Sequence, residues 1–161
     1  GVLTTGHFIY SSKGKQYKVF GTDDNDGLSL LSKFINIKFI SGDIKGFDIS
    51  KKRVSEMGYE IELVSTVKRL EWINENYDFN KTIYMGDGIF DHYVFKSIFY
   101  SIAPQNAHKF AKKFANFITE SKGGNGAIAE ASIHILEKFF EPFDPNKELD
   151  SNIKYSGKWK T

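Results

Sequence analysis

The run Thr82-Ile83-Tyr84-Met85-Gly86-Asp87-Gly88-Ile89-Phe90-Asp91 decides how the rest of the chain is read. Four β-prone residues stop at Gly-Asp-Gly, and a helix is expected over 91–97. Two carboxylates four residues apart at a strand-to-helix junction can converge on a hard cation. Magnesium takes one or two carboxylates and keeps several waters. A turn shaped by Asp87, with Asp91 capping the helix, accounts for the same residues about equally well.

The pattern continues on both sides. Upstream, Ile35 to Ile40 reads as a strand ending in Ser41-Gly42-Asp43. A helix around Ile49 to Met57 stops at Gly58, a short strand covers Ile61 to Val64, and a helix covers Val67 to Asn76. Downstream, Tyr100 to Ala103 is a strand and Ala107 to Phe114 a helix. Ala115 to Thr119 is a further short strand, and Ala127 to Phe140 is an amphipathic helix with Ile128, Ala131, Ile135 and Phe139 on one face. Strands alternating with helices predict an α/β fold with a mainly parallel sheet covered on both faces, and ligands in such sheets sit beyond the carboxyl ends of the strands. Before this unit, residues 7–20 read as a β-hairpin, and Leu28 to Phe34 as a short helix. Residues 141–161 hold two of the three prolines and little periodicity, and read as a surface tail or linker.

At 161 residues one domain is expected, large enough to bury a core. The chain has no cysteine, which excludes disulfides and thiolate zinc sites. A net charge of +2 from 22 basic and 20 acidic residues, well mixed, gives no argument for nucleic acid or a membrane surface as partner. No apolar run approaches the roughly 20 residues of a membrane helix. Residues 1–10 lack both a charged start and a long apolar stretch, so a soluble cytoplasmic protein is the expectation.

Two further signals join the acidic pair. Ser41-Gly42, after an apolar strand, offers a hydroxyl and free backbone N–H groups to a phosphate, although an ordinary turn is the commoner meaning of that dipeptide. Lys68 can offset phosphate charge, although a single lysine is more often solvated surface. Gly123-Gly124-Asn125-Gly126 lacks GxGxxG spacing, the four histidines lack metal-ligand spacing, and no G-x-S-x-G elbow is present.

Taken in order, Gly1-Val2-Leu3-Thr4-Thr5-Gly6, Ser41-Gly42, Lys68 and Gly86-Asp87-Gly88-Ile89-Phe90-Asp91 resemble the four motifs of the haloacid dehalogenase superfamily. The finer match is to the small-cap branch of 3-deoxy-manno-octulosonate 8-phosphate phosphatases and the phosphatase-like domains of acylneuraminate cytidylyltransferases. Lys18-Val19-Phe20 matches the branch's K-x-F segment. Ser101-Ile102-Ala103-Pro104 with Asn106-Ala107-His108 matches its V-A-x-x-x-A-H stretch. Gly123 to Ala127 with Glu130 matches its G-G-x-G-A-x-x-E ending. The resemblance spans residues 1–140 and is collinear.

It implies a three-layer Rossmann-like α/β fold with a parallel sheet and a small β-hairpin cap. It implies a magnesium-dependent phosphomonoesterase for a small sugar or sugar-acid phosphate, working through an aspartyl phosphate and assembled as a homotetramer. Ser41 and Lys68 would be catalytic, and Ser41, Gly42, Arg53 and Lys68 would bind phosphate and substrate. Asp87 and Asp91 would hold Mg2+, Asp91 either indirectly or by orienting Lys68. The nucleophilic and acid–base aspartates of D-x-D, with the central strand that carries them, would precede Gly1. A protein beginning at Gly1 is expected to give no turnover.

The chain departs from the branch in places. Asp43 stands where S-G-R has arginine, which removes a cation expected near an acidic sugar, with Lys45 as a candidate substitute. Asp24-Asn25-Asp26-Gly27 replaces D-G-x-G. Two other readings stay open on sequence: an inactive module of the same fold used for oligomerisation or regulation, and a receiver-like phosphate-binding domain.

Overall fold

The computed structural model describes residues 1–148, so most of the expected tail at 141–161 lies outside the described residues. The chain opens with an antiparallel hairpin, β1 (Thr4–Ser11) and β2 (Gly14–Phe20), closed where Ser11 pairs with Gly14. Gly14 takes φ 101° at this turn, a left-handed conformation that suits glycine.

Helix α1 (Asp23–Leu31) begins earlier than the sequence reading expects. Asp23, Asp24 and Asp26 fall in its first turn, where carboxylates favour the positive end of the helix dipole. Strand β3 is only Phe39–Ser41. The expected strand residues from Ile35 do not join it, because Ile35 N–H still bonds Leu31 O at 3.3 Å and strand pairing begins only where Phe39 meets Ile61. Then follow α2 (Phe47–Glu56), β4 (Ile61–Leu63), α3 (Arg69–Asn76), β5 (Ile83–Met85), α4 (Asp91–Phe95), β6 (Tyr100–Ala103), α5 (Lys109–Phe114), β7 (Phe117–Ile118) and α6 (Ala127–Phe139).

All pairings between strands after the hairpin are parallel. β3 pairs with β4, and β5, β6 and β7 form a second ladder with β6 in the middle, buried along its whole length. Successive side chains of a strand point to opposite faces, and two helical layers follow from that alternation. Ile83, Met85 and Ile102 pack toward α1 and α6 with Leu28, Leu31, Ile128, Ala131 and Ile135. Tyr84 and Ala103 pack toward α3, α4 and α5 with Ile73, Val94, Phe95 and Ala111. The α1–α6 crossing is close, since a Cβ on Gly27 would lie 2.5 Å from Ala129 Cα. Asp24, fully buried, reaches across the same crossing. Its Oδ1 accepts from the N–H groups of Ile128 and Ala129 at 3.0 and 3.2 Å, at the start of α6.

The two ladders do not hydrogen-bond to each other. Between the facing edges of β3 and β5 runs an apolar slot. Val2, Ile37, Phe39, Met85, Ile102 and Ile128 line one side, and Ile40, Ile73, Tyr84 and Phe99 line the other.

Candidate active site

A cleft of about 500 Å³ opens at the carboxyl ends of β3 and β5. Ser41, Gly42 and Asp43 line it from β3, and Gly86 and Asp87 from β5. Gly1 to Thr4, Lys15, Lys18 and Phe20 close it from the hairpin side, and Arg69 lies at its floor. Ser41 and Asp87 therefore share one cavity, as their strand-end positions imply.

The Ser41 hydroxyl oxygen accepts the Asp43 N–H at 3.2 Å, which leaves its own hydrogen free to donate. Gly42 sits tightly against the next loop, where a Cβ would lie 3.3 Å from Thr66 N and Val64 O. Asp87 is about one-third exposed, with its Oδ1 3.1 Å from the Gly1 nitrogen. Its backbone carbonyl accepts from His108 N–H at 2.8 Å, fixing the loop.

Asp91 stands differently. It is 2% exposed and both oxygens are saturated. Oδ1 accepts from Arg69 Nη1 at 2.7 Å and Tyr84 Oη at 2.8 Å, and Oδ2 accepts from the N–H groups of Asp87 and Gly88 at 2.8 and 2.7 Å. Asp91 thus shapes the loop that presents Asp87. Burial opposes the Arg69 charge, and Tyr84 and Asp91 outweigh it, so the guanidinium is held firmly charged. Burial, reinforced by the neighbouring carboxylate, pushes the Tyr84 hydroxyl well above its ordinary range.

Two residues singled out in the sequence lie away from the cleft. Lys68 is exposed, ending a 3-10 turn at Thr66–Lys68, and does not line the cavity. The next residue, Arg69, turns inward and does. Its Nε is buried and finds no acceptor among the described residues. Arg53 lies in the last turn of α2, outside the lining, and its charge acts on Asp24. The Lys68-Arg69 pair held the signal for the inward cation, but periodicity could not say which of the two faces the sheet.

In the sequence, Lys18 figures only in the K-x-F match and Lys15 not at all, yet both belong to the cleft. Both reach from β2 to Asp43, with Nζ 2.5 and 2.8 Å from the same Oδ2. Partial burial works against the Asp43 charge, and the two lysines override it, holding its carboxyl below the usual range. Lys45, the candidate substitute cation, is exposed and outside the cleft. The Gly-rich run serves packing. Gly124 N–H bonds Val2 O at 2.9 Å, and at Gly123 and Gly124 a Cβ would collide with backbone atoms of residues 1–5.

With this geometry in place, sequence and structural comparison assign the class. Residues 18–131 match the family described as haloacid dehalogenase-like hydrolase, and the chain belongs to that family. The chain is 27% identical over 146 residues to the 3-deoxy-D-manno-octulosonate 8-phosphate phosphatase of Haemophilus influenzae, covering 85% of this chain and 78% of that one. It superposes with a TM-score of 0.76 on the Moraxella catarrhalis enzyme of the same name, solved with magnesium, phosphate and its octulosonate, at 26% identity over 85% of this chain and 81% of that one. A Pseudomonas syringae protein assigned to the YrbI phosphatase family superposes with a TM-score of 0.75 at 27% identity, over 85% and 80% of the two chains. The Rossmann-like α/β fold with its hairpin cap, expected from the motifs, is thereby established.

Proposed function

We propose that this chain forms the body of a magnesium-dependent phosphomonoesterase acting on a small sugar or sugar-acid phosphate. The observation that carries the reading is the shared cleft. A free serine hydroxyl, a charged arginine and a single unsaturated carboxylate converge where a parallel sheet presents its carboxyl ends.

Asp87 fits magnesium, being an oxygen donor held at fixed height by Asp91 through two backbone N–H groups. Among the described residues no three acidic or histidine side chains gather, so Asp87 is this region's contribution to the cation. When bound, the cation offsets phosphoryl charge. Ser41 donates to a phosphoryl oxygen, and Arg69 stands in the role expected of Lys68, adding positive charge at the cleft floor.

The nucleophile and the acid–base carboxylate would come from a strand directly upstream of Gly1, seated in the slot between β3 and β5. Such a strand would pair both ladders into one parallel sheet, bury the slot's apolar lining, and end beside Asp87, where Gly1 lies. Its first carboxylate would attack phosphorus and its second would protonate the leaving oxygen, then activate water. The hairpin carries Ile9 and Tyr17, register partners that are 53% and 65% exposed, and we read this face as the contact between subunits of a tetramer.

The test is a phosphate-release screen on the full-length protein across sugar phosphates, with and without Mg2+. Metal-dependent release supports the reading. Absence of release from every ester, with the upstream carboxylates present, refutes it.

A further inference from the structure

We propose that the outer face of α4 and α5, built from Tyr93, Lys96, Lys109, Phe110, Lys113 and Phe114, docks on an anionic lipid surface. None of these residues lines the cleft, so the inference goes beyond the phosphatase reading and does not depend on it.

Charge is unevenly distributed along the chain. From His92 to Thr119 there are four lysines and no acidic residue, so the rest is net acidic even though the whole carries +2. Folding gathers this stretch into one face, because α4 and α5 pack side by side. Lys96 reaches across to Phe114, its Nζ 4.4 Å from the ring centre. Lys109 and Lys113 lie 5.4 and 5.6 Å from the rings of Phe110 and Phe114. Lys112 is spent on the Gln105 carbonyl at 3.1 Å. Among the described residues, Lys96, Lys109 and Lys113 make no ion pair. Between these charges Tyr93, Phe110 and Phe114 remain 54%, 43% and 36% exposed.

Uncompensated ammonium groups beside exposed rings suit the boundary of an anionic bilayer. The ammoniums meet headgroup phosphates, each worth about fivefold in partitioning near the surface. The rings enter the layer between water and acyl chains, where aromatic side chains collect. Two rival occupants fit less well. A nucleic acid stacks its bases on open ring faces. Here Phe114 already carries the Lys96 ammonium, and His92 stacks against it at 5.8 Å and 29°. A folded acidic partner needs a matching groove, and this face lines none of the clefts described above. A fluid bilayer needs no matching shape. The contact is docking and not insertion, since among the described residues no helix is long and apolar enough to cross a membrane.

The experiment is cosedimentation of the full-length protein with vesicles of phosphatidylcholine alone and of phosphatidylcholine mixed with phosphatidylglycerol. The wild type is expected to pellet with the mixed vesicles, to stay in solution with the neutral ones, and to be released as salt is raised. Lys109→Gln combined with Lys113→Gln should lower the partition coefficient about 25-fold. Both lysines are exposed, so the fold and any phosphate release should be unchanged in that variant. Lys109→Arg combined with Lys113→Arg should retain binding. A wild type that stays in solution with mixed vesicles at low salt overturns the proposal, and so does binding that loss of the two lysines leaves undiminished. Retention of a single-stranded oligonucleotide without vesicle binding would assign the face to nucleic acid. Self-association in light scattering that Phe110→Ser abolishes, again without vesicle binding, would assign it to a second copy. Either result overturns the lipid assignment.

Discussion

Arg69 Nη1 lies 2.7 Å from Asp91 Oδ1, and the carboxylate's other oxygen receives the backbone N–H groups of Asp87 and Gly88. The inward cation, the buried carboxylate and the candidate metal ligand form one continuous chain of bonds. Breaking it by Arg69→Met strands a charge that is 2% exposed, and is expected to cost roughly 3–5 kcal/mol of stability in urea unfolding. Lys68→Ala, at an exposed neighbour, should stay within about 0.5 kcal/mol. In turnover, Arg69→Lys should lose activity while Lys68→Ala keeps it within about threefold. The opposite order would return the role to Lys68.

Asp87→Asn should abolish metal-dependent turnover in the full-length protein while changing stability little, because the side chain is partly exposed and makes no side-chain bond to the core. Magnesium titration of the variant checks this. Undiminished activity would remove Asp87 from the site.

Asp43 carries a pH signature. Its folded pKa is held below that of the unfolded chain, so its contribution is fully present above the unfolded carboxylate pKa of about 3.9 and drains away as pH falls through the lower folded value. Asp43→Asn should therefore flatten the acid limb of the stability curve and leave its neutral part parallel to wild type. An unchanged acid limb would contradict the lysine pairing.

Gly27→Ala should destabilise by about 1–3 kcal/mol. The added methyl would meet Ala129 Cα at the α1–α6 crossing, and neither helix backbone can yield without disturbing the Asp24 bonds to Ile128 and Ala129. Chemical denaturation reads this directly.

The proposed tetramer contact makes a direct prediction: Ile9→Glu combined with Tyr17→Glu should give smaller species than wild type in light scattering without loss of the body's fold, since both side chains are exposed here. A wild-type monomer at micromolar concentration would remove the tetramer from the account.

Much of the architecture was legible in the residues. Alternating apolar runs and helical periods located every strand and helix of the body, because each must show one face to the core, and that requirement is written locally. Boundaries slipped where pairing rather than propensity decides. Ile35 to Lys38 are β-prone, but they follow α1 and find no ladder partner until Phe39.

The sequence by itself determined the class: the order of the motifs, the strand-end placement of Ser41 and Asp87, and the α/β alternation all reside in nearby residues. Only the tertiary structure decided which cation faces inward, that Asp91 is spent on Arg69 and Tyr84, and that Lys15 and Lys18 answer Asp43 from 28 and 25 residues away. The physical reason is range. Secondary structure depends on neighbours within a few residues, whereas charge pairing and burial depend on which distant segments the packed core brings within about 3 Å of one another.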